Sequence, residues 1–158
     1  MSLMTYPETV AEILDDAMKF RCATLQAMQQ FAAAGPWSGT VEERQGQIRR
    51  LNRALAAAYE ITEPDIVFET LGGCSSSRSR YIAVRHRIVL TGKLSVITYL
   101  HEFAHAMGHG ERMASKWSIN LFRLIFPQRF SGLIQVGHIL VSPRSVRRGV
   151  PPRKEASA

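Results

Sequence analysis

The chain has 158 residues, a hydrophobic content of 46% and a formal net charge of +7. This size supports one compact domain whose core needs no disulfides, and the two cysteines, Cys22 and Cys74, are too few for a disulfide framework. The amino-terminal residues lack a basic segment followed by an apolar one, and no stretch approaches 18 consecutive apolar residues. We therefore expect a cytoplasmic protein rather than an exported or membrane-spanning one.

Two helices are predicted in the amino-terminal part of the chain. Between residues 9 and 34, apolar side chains recur at every third or fourth position, which is typical of an amphipathic helix, and Gly35-Pro36 ends this pattern. A second helix is expected to begin after Thr40, because Glu43 follows three residues later as in a capping box. Its apolar spacing continues to Tyr59.

Two β-branched runs follow these helices. Residues 66–70 form a short run after the turn at Pro64, and residues 81–90 form a longer one that closes at Thr91-Gly92. A Gly- and Ser-rich loop, residues 71–80, connects them. We expect two strands in a small mixed sheet, and with the flanking helices an α+β fold.

The segment His101-Glu102-Phe103-Ala104-His105 is the most informative motif in the chain. Its context predicts a helix, because Ser95 can cap the amino end, apolar residues follow with helical spacing, and Gly108 can end it. Histidines four residues apart lie on one helical face, so both imidazoles can bind a single ion, which we expect to be Zn²⁺. Zinc lowers the pKa of bound water to about 7, and the neighbouring carboxylate of Glu102 can accept its proton.

With this motif the chain resembles the zincin superfamily of metallopeptidases, whose active-site helix reads H-E-x-x-H and often follows a strand. The resemblance covers about residues 66 to 126. It implies a zincin-like fold, with amino-terminal helices, a small mixed sheet, and the H-E-x-x-H helix followed by a further helix. It also implies peptide hydrolysis with Glu102 as general base. In zincins the edge strand before the helix binds an extended peptide, a role that the run from Tyr81 could take here.

A catalytic zinc ion normally has three protein ligands, and the sequence offers three candidates for the third. Glu111 stands where the metzincin pattern H-E-x-x-H-x-x-G-x-x-H has its last histidine, and Gly108 matches the glycine of that pattern. His109 is the second candidate, since His-Gly after the motif is similar to Spartan-type (SprT-like) proteases. His138 is the third. We rank Glu111 first, so the predicted metal ligands are His101, His105 and Glu111.

The oxyanion formed during hydrolysis needs a stabilising side chain, which in zincins is a Tyr, His or Arg. The candidates in this chain are Arg112, Tyr99, His86 and His138. Residues 111–126 predict the helix after the motif, with Pro127 beyond its end, and residues 130–141 add an apolar segment of undefined type. Residues 142–158 are rich in Pro, Arg and Ser, so we expect a disordered basic tail after a single domain of residues 1–141.

Positive charge is concentrated in the second half of the chain. Residues 1–70 carry six basic and ten acidic side chains, residues 71–122 carry seven and two, and residues 123–158 carry seven and one. The basic surplus around the motif and in the tail can attract nucleic acid or acidic polypeptides through nonspecific electrostatics.

Three functions follow from these features. The first is a zinc metallopeptidase that acts on a peptide or protein substrate. The second is a DNA-associated protein of the SprT-like or ArdC-like type. Gly108, Arg112 and Met113 also resemble the metal-binding helix of the ArdC-like type. The third is a zincin-scaffold interaction module that binds zinc but does not turn over substrate.

Overall fold

A computed structural model describes residues 10–69, 78–136 and 139–141. The fold is α+β, as predicted, and contains a small mixed sheet. None of the described helices has the length and apolar character needed to cross a membrane. The elements in chain order are α1 (Val10–Ile13), α2 (Cys22–Ala33), α3 (Val41–Ala58), β1 (Asp65–Glu69), β2 (Arg80–Ile82), a 3-10 turn (Ala83–Arg85), β3 (Arg87–Thr91), α4 (Val96–Ala106), α5 (Glu111–Ile125), α6 (Pro127–Ser131), β4 (Ile134–Val136) and β5 (Ile139–Val141).

The single helix predicted over residues 9–34 is wrong, because α1 and α2 are separate helices. The main-chain N–H of Asp15 donates to Asn120 Oδ1 at 2.8 Å, and the Asp15 carboxylate accepts a hydrogen bond from the N–H of Ala17 at 3.0 Å. These bonds satisfy backbone groups outside a helix and so compete with helix continuation. Asn120 Nδ2 also donates to the carbonyl of Ile13 at 2.8 Å, which holds this segment against α5.

The second predicted helix is confirmed as α3. The Thr40 hydroxyl accepts a hydrogen bond from the N–H of Glu43 at 3.1 Å, and the Glu43 carboxylate accepts one from the N–H of Thr40 at 3.2 Å, which completes the capping box. On the buried face of α3, Asn52 Oδ1 accepts a hydrogen bond from the Tyr99 hydroxyl of α4 at 3.0 Å. This bond joins α3 to the helix that carries the motif.

Strands β1, β3 and β2 form a sheet in that order, with β1 parallel and β2 antiparallel to β3. The single strand predicted over residues 81–90 is wrong, because a 3-10 turn and His86 separate β2 from β3. His86 adopts a left-handed conformation, with φ 46°, which is unusual for a residue other than glycine. Its ring is fixed by two contacts of 2.6 Å, to the Tyr81 hydroxyl and to the carbonyl of Thr62.

Helix α4 begins where the sequence predicts, because the Ser95 hydroxyl accepts a hydrogen bond from the N–H of Thr98 at 3.2 Å. It packs against β2 and β3, and its contact with α5 is the most extensive between any two described elements. The side chains of Tyr99, Leu100 and Phe103 are fully buried in a core shared with α2, α3 and α5. One face of α4 therefore packs in the core, and the motif histidines lie on a different face of the helix.

The elements after the motif agree with the prediction only in part. The predicted helix from Glu111 is confirmed as α5, and Pro127 lies beyond its end. Pro127 also begins a further short helix, α6, which was not predicted. The apolar segment of undefined type contains the end of α6 and the antiparallel pair of β4 and β5. Most of the Gly- and Ser-rich loop and the whole predicted tail lie outside the described residues.

Candidate metal centre

The two motif histidines lie side by side on α4, with their Nε2 atoms 3.1 Å apart. Both rings are partly buried. Burial lowers the pKa of His101, and this effect outweighs the opposite effect of the nearby Glu111 carboxylate. The lowered pKa favours the neutral imidazole, which is the form that binds a metal ion.

Glu111 brings a carboxylate to both histidines. Its Oε2 lies 3.3 Å from His101 Nε2, and its Oε1 lies 2.6 Å from His105 Nε2. The ligand atoms of the three residues all lie within 4.8 Å of one another. Around a tetrahedral zinc ion with bonds of about 2.0–2.1 Å, neighbouring ligand atoms are about 3.3 Å apart. The spacing between the two imidazoles and that between His101 and Glu111 match this value, whereas His105 Nε2 and Glu111 Oε1, at 2.6 Å, are closer and at hydrogen-bond distance. Two imidazoles with one carboxylate are a ligand set that zinc accepts.

A helix-ending motif explains how Glu111 reaches the histidines. The N–H of Gly108 donates to the carbonyl of His105 at 2.9 Å, and the N–H of His109 donates to the carbonyl of Ala104 at 3.0 Å. These two bonds form a Schellman motif, which needs the positive φ of 96° that Gly108 adopts. Helix α4 therefore ends directly after the second histidine, and the chain turns so that α5 begins at Glu111.

Each histidine also makes a hydrogen bond through its other ring nitrogen. His105 Nδ1 donates to the carbonyl of His109 at 2.8 Å, and His101 Nδ1 lies 3.4 Å from the Ser115 hydroxyl. The carbonyl partner holds the proton of His105 on Nδ1 and leaves the lone pair of its Nε2 for the metal, whereas the Ser115 hydroxyl, which can donate or accept, orients the ring of His101. The sequence reasoning missed both partners. The spacing of four residues from Glu111 could have indicated Ser115, whereas a backbone carbonyl leaves no signal in the sequence.

The alternative third ligands are placed differently. His109 approaches the site through its carbonyl, and its ring nitrogens do not belong to the group of clustered ligand atoms. His138 lies outside the described residues. The structure thus brings together the three residues that the sequence ranked first, His101, His105 and Glu111.

Two of the candidates for stabilising an oxyanion are engaged elsewhere. Tyr99 is fully buried and donates its hydroxyl hydrogen to Asn52. The ring of His86 is held by its contacts with Tyr81 and Thr62 in the turn between β2 and β3. Arg112 is exposed and directly follows Glu111, so it is the described candidate that is nearest in sequence to a metal ligand.

Glu102 lies on the side of α4 that faces β2, and only 8% of its surface is exposed. The main-chain N–H of Tyr81, in the middle of β2, lies beside its carboxylate and acts to lower its pKa. Burial raises the pKa of Glu102 to about 7, although His105 and the Tyr81 N–H act in the opposite direction. A carboxyl group with a pKa near neutrality is well suited to accept and return a proton at physiological pH.

We expect Ser115→Ala to weaken zinc binding about tenfold, because the variant no longer holds the ring of His101 through Nδ1. Ser118→Ala is the matched control, since Ser118 is also fully buried on α5 but its hydroxyl donates to a backbone carbonyl. Zinc affinity is measured by competition with a chelating indicator. Equal affinities for the two variants would show that Ser115 does not orient the ligand.

Comparisons with known proteins add no relative. A scan against protein-family models gives no match, and searches of curated proteins and of solved structures give no match either. The interpretation of the site therefore depends on the geometry and chemistry of its own residues.

Proposed function

We propose that this protein is a zinc-dependent metallopeptidase in which His101, His105 and Glu111 hold the ion and Glu102 is the general base. One observation carries most of the proposal. Two imidazole nitrogens and a carboxylate converge within 4.8 Å of one another, and the residue next to the first histidine is a buried carboxylate that lies beside the edge strand. This combination supplies both a set of zinc ligands and a proton acceptor.

The metal ion and the protein groups have separate roles in the proposed reaction. Zinc held by His101, His105 and Glu111 would supply a water molecule with a pKa of about 7 and would polarise the carbonyl group of the substrate. The carboxylate of Glu102 takes up the proton that the water loses and transfers it to the nitrogen of the leaving amine. The main-chain N–H of Tyr81 keeps this carboxylate in place, and the carbonyl of His109 orients the ring of His105.

The position of β2 supports a peptide as the substrate and a zincin-like arrangement of sheet and helix. Among the described residues β2 is an edge of the sheet, and the N–H of Tyr81 points away from β3 toward Glu102. An extended peptide that paired with this edge would have its main chain beside the general base. The first function predicted from the sequence is therefore the one that the site supports best.

Metal content and proteolysis, measured together, test the proposal. We expect the purified protein to bind a single zinc ion per chain and to cleave a broad peptide library. A chelator is expected to reduce cleavage by at least about 100-fold, because the ion supplies the activated water, and added zinc is expected to restore it. Absence of zinc would contradict the metal site, and zinc-loaded protein that cleaves no peptide would instead support an inactive binding module.

A further inference from the structure

We infer that the substrate is an acidic polypeptide, and that Arg78, Arg85 and Arg112 bind carboxylate side chains on either side of the scissile bond. This inference rests on the proposed peptidase function of the site. It extends that function, because the metal centre and the edge strand recognise only the peptide main chain and do not select a side chain.

The charge of the segment that carries the metal centre is strongly unbalanced. Residues 78–112 include six arginine and lysine side chains but only two carboxylates, Glu102 and Glu111. Both carboxylates belong to the metal centre, where one contacts the histidines and the other is buried against β2. No other acidic side chain in this segment offsets the basic ones.

Two of the arginines are already paired within the sheet. Arg87 contacts Asp65 at 3.7 Å, and Arg80 contacts Glu69 at 4.0 Å. Three others, the rim arginines Arg78, Arg85 and Arg112, are exposed and form no ion pair with any residue that the structure describes. Their charges are therefore available to a ligand.

The rim arginines are placed along the path of an extended peptide. Tyr81 marks the position of the general base, because its N–H lies beside the carboxylate of Glu102. Arg78 precedes Tyr81 by three residues and Arg85 follows it by four, so the two arginines bracket β2. Arg78 lies two residues before β2, and Arg85 ends the 3-10 turn that directly follows it, so a peptide paired with β2 would have an arginine near each end of the strand. Arg112 follows the metal ligand Glu111 at the start of α5.

A polypeptide satisfies both features of this surface, whereas a nucleic acid satisfies one. Phosphates could pair with the rim arginines, but only a polypeptide can add a strand to the edge of β2. Exposed ion pairs are individually weak, so each contact with a substrate carboxylate is expected to change kcat/KM only about two- to fivefold. Three contacts together are expected to give a preference of about tenfold or more.

The test uses two peptides with the same central sequence, flanked by three aspartates or by three lysines on each side. We expect zinc-loaded protein to cleave the aspartate peptide with a kcat/KM about tenfold higher. This preference is expected to decrease in 0.5 M NaCl, where the Debye length falls below about 5 Å. Arg78→Glu combined with Arg85→Glu is expected to abolish or reverse it.

Arg50→Glu combined with Arg53→Glu is the control for net charge, since both arginines are exposed on α3 and the change in net charge is the same. Arg53 contacts Glu63 at 3.7 Å, an exposed ion pair of small energetic weight. This control is expected to keep the preference. Binding of both labelled peptides to zinc-loaded Glu102→Gln protein is measured by fluorescence anisotropy in parallel, so that the preference is tested independently of turnover.

The outcomes separate this inference from the proposed function. If both peptides were cleaved and bound equally, or if the α3 control lost the preference as well, the inference would be overturned and the peptidase function would stand. If the aspartate peptide bound more tightly but no peptide were cleaved, the peptidase function would be overturned and the acidic preference would stand. A DNA duplex that displaced the aspartate peptide, and whose binding the Arg78 and Arg85 substitutions abolished, would overturn the assignment to a polypeptide.

Discussion

Replacing Glu102 with glutamine is expected to lower kcat/KM for peptide cleavage about 1,000-fold while zinc stays bound. A carboxamide cannot accept the proton from the attacking water, and a positioned general base contributes about 100- to 10,000-fold to such reactions. The metal is retained because Glu102 is not among the clustered ligand residues. Cleavage of one fluorogenic peptide and metal content by mass spectrometry, measured on the same sample, check both parts.

The same variant is expected to be more stable than the parent above pH 7 when zinc is removed. Burial raises the pKa of Glu102 in the folded state from 4.5 to about 7, so the unfolded chain ionises at lower pH than the folded one. Below pH 4.5 the Glu102 carboxyl group is protonated in both the folded and the unfolded state and does not lower the free energy of unfolding. Between pH 4.5 and 7 the free energy of unfolding decreases by up to about 1.4 kcal/mol per pH unit, and above pH 7 the loss stays constant at no more than about 3.5 kcal/mol. Glutamine carries no charge and avoids this cost.

Thermal unfolding of both proteins in the presence of a chelator, at pH 4 and at pH 8, measures the difference. The variant and the parent are expected to be equally stable at pH 4 and to differ only at pH 8. An active Glu102→Gln enzyme would exclude Glu102 as the base. Equal stability at both pH values would instead show that the carboxylate is not buried against the N–H of Tyr81.

Local patterns were sufficient to predict those elements whose ends depend on nearby residues. The capping box of Thr40 and the cap at Ser95 each involve a residue three positions away, so a sequence window contains the whole interaction. The motif spacing identified His101 and His105 for the same reason, because four residues make one helical turn.

The failures differ, because each involves, besides local contacts, a partner that is distant in the sequence. The break after α1 depends on Asn120, 105 residues beyond Asp15, and the turn that divides β2 from β3 depends on the contact of His86 with Thr62. Local propensity cannot report such partners. The N–H of Tyr81 was missed as a contact of the general base for the same reason, since only the packing of β2 on α4 brings it there.

The sequence ranks Glu111 first among three candidates for the third zinc ligand. Its replacement is expected to have the second large effect, on zinc affinity. We expect Glu111→Ala to weaken zinc binding by more than about 100-fold, beyond the 10- to 100-fold typical of losing a hydrogen-bond partner of a ligand. The carboxylate approaches both histidines, at 3.3 Å and 2.6 Å, so its loss leaves two imidazoles as ligands. Zinc affinity is again measured by competition with a chelating indicator.

His109→Ala is the matched control for this prediction, because alanine keeps the backbone carbonyl that accepts the hydrogen bond from His105. It is expected to change zinc affinity by less than about threefold, since no ring nitrogen of His109 belongs to the ligand cluster. The metal-free Glu111→Ala protein is expected to lose only about 0.5 kcal/mol of stability, the cost of removing an exposed acidic side chain from the start of α5. Unchanged zinc affinity in Glu111→Ala would show that another residue is the third ligand. A loss of affinity in His109→Ala as large as in Glu111→Ala would show that the ring of His109 binds the ion.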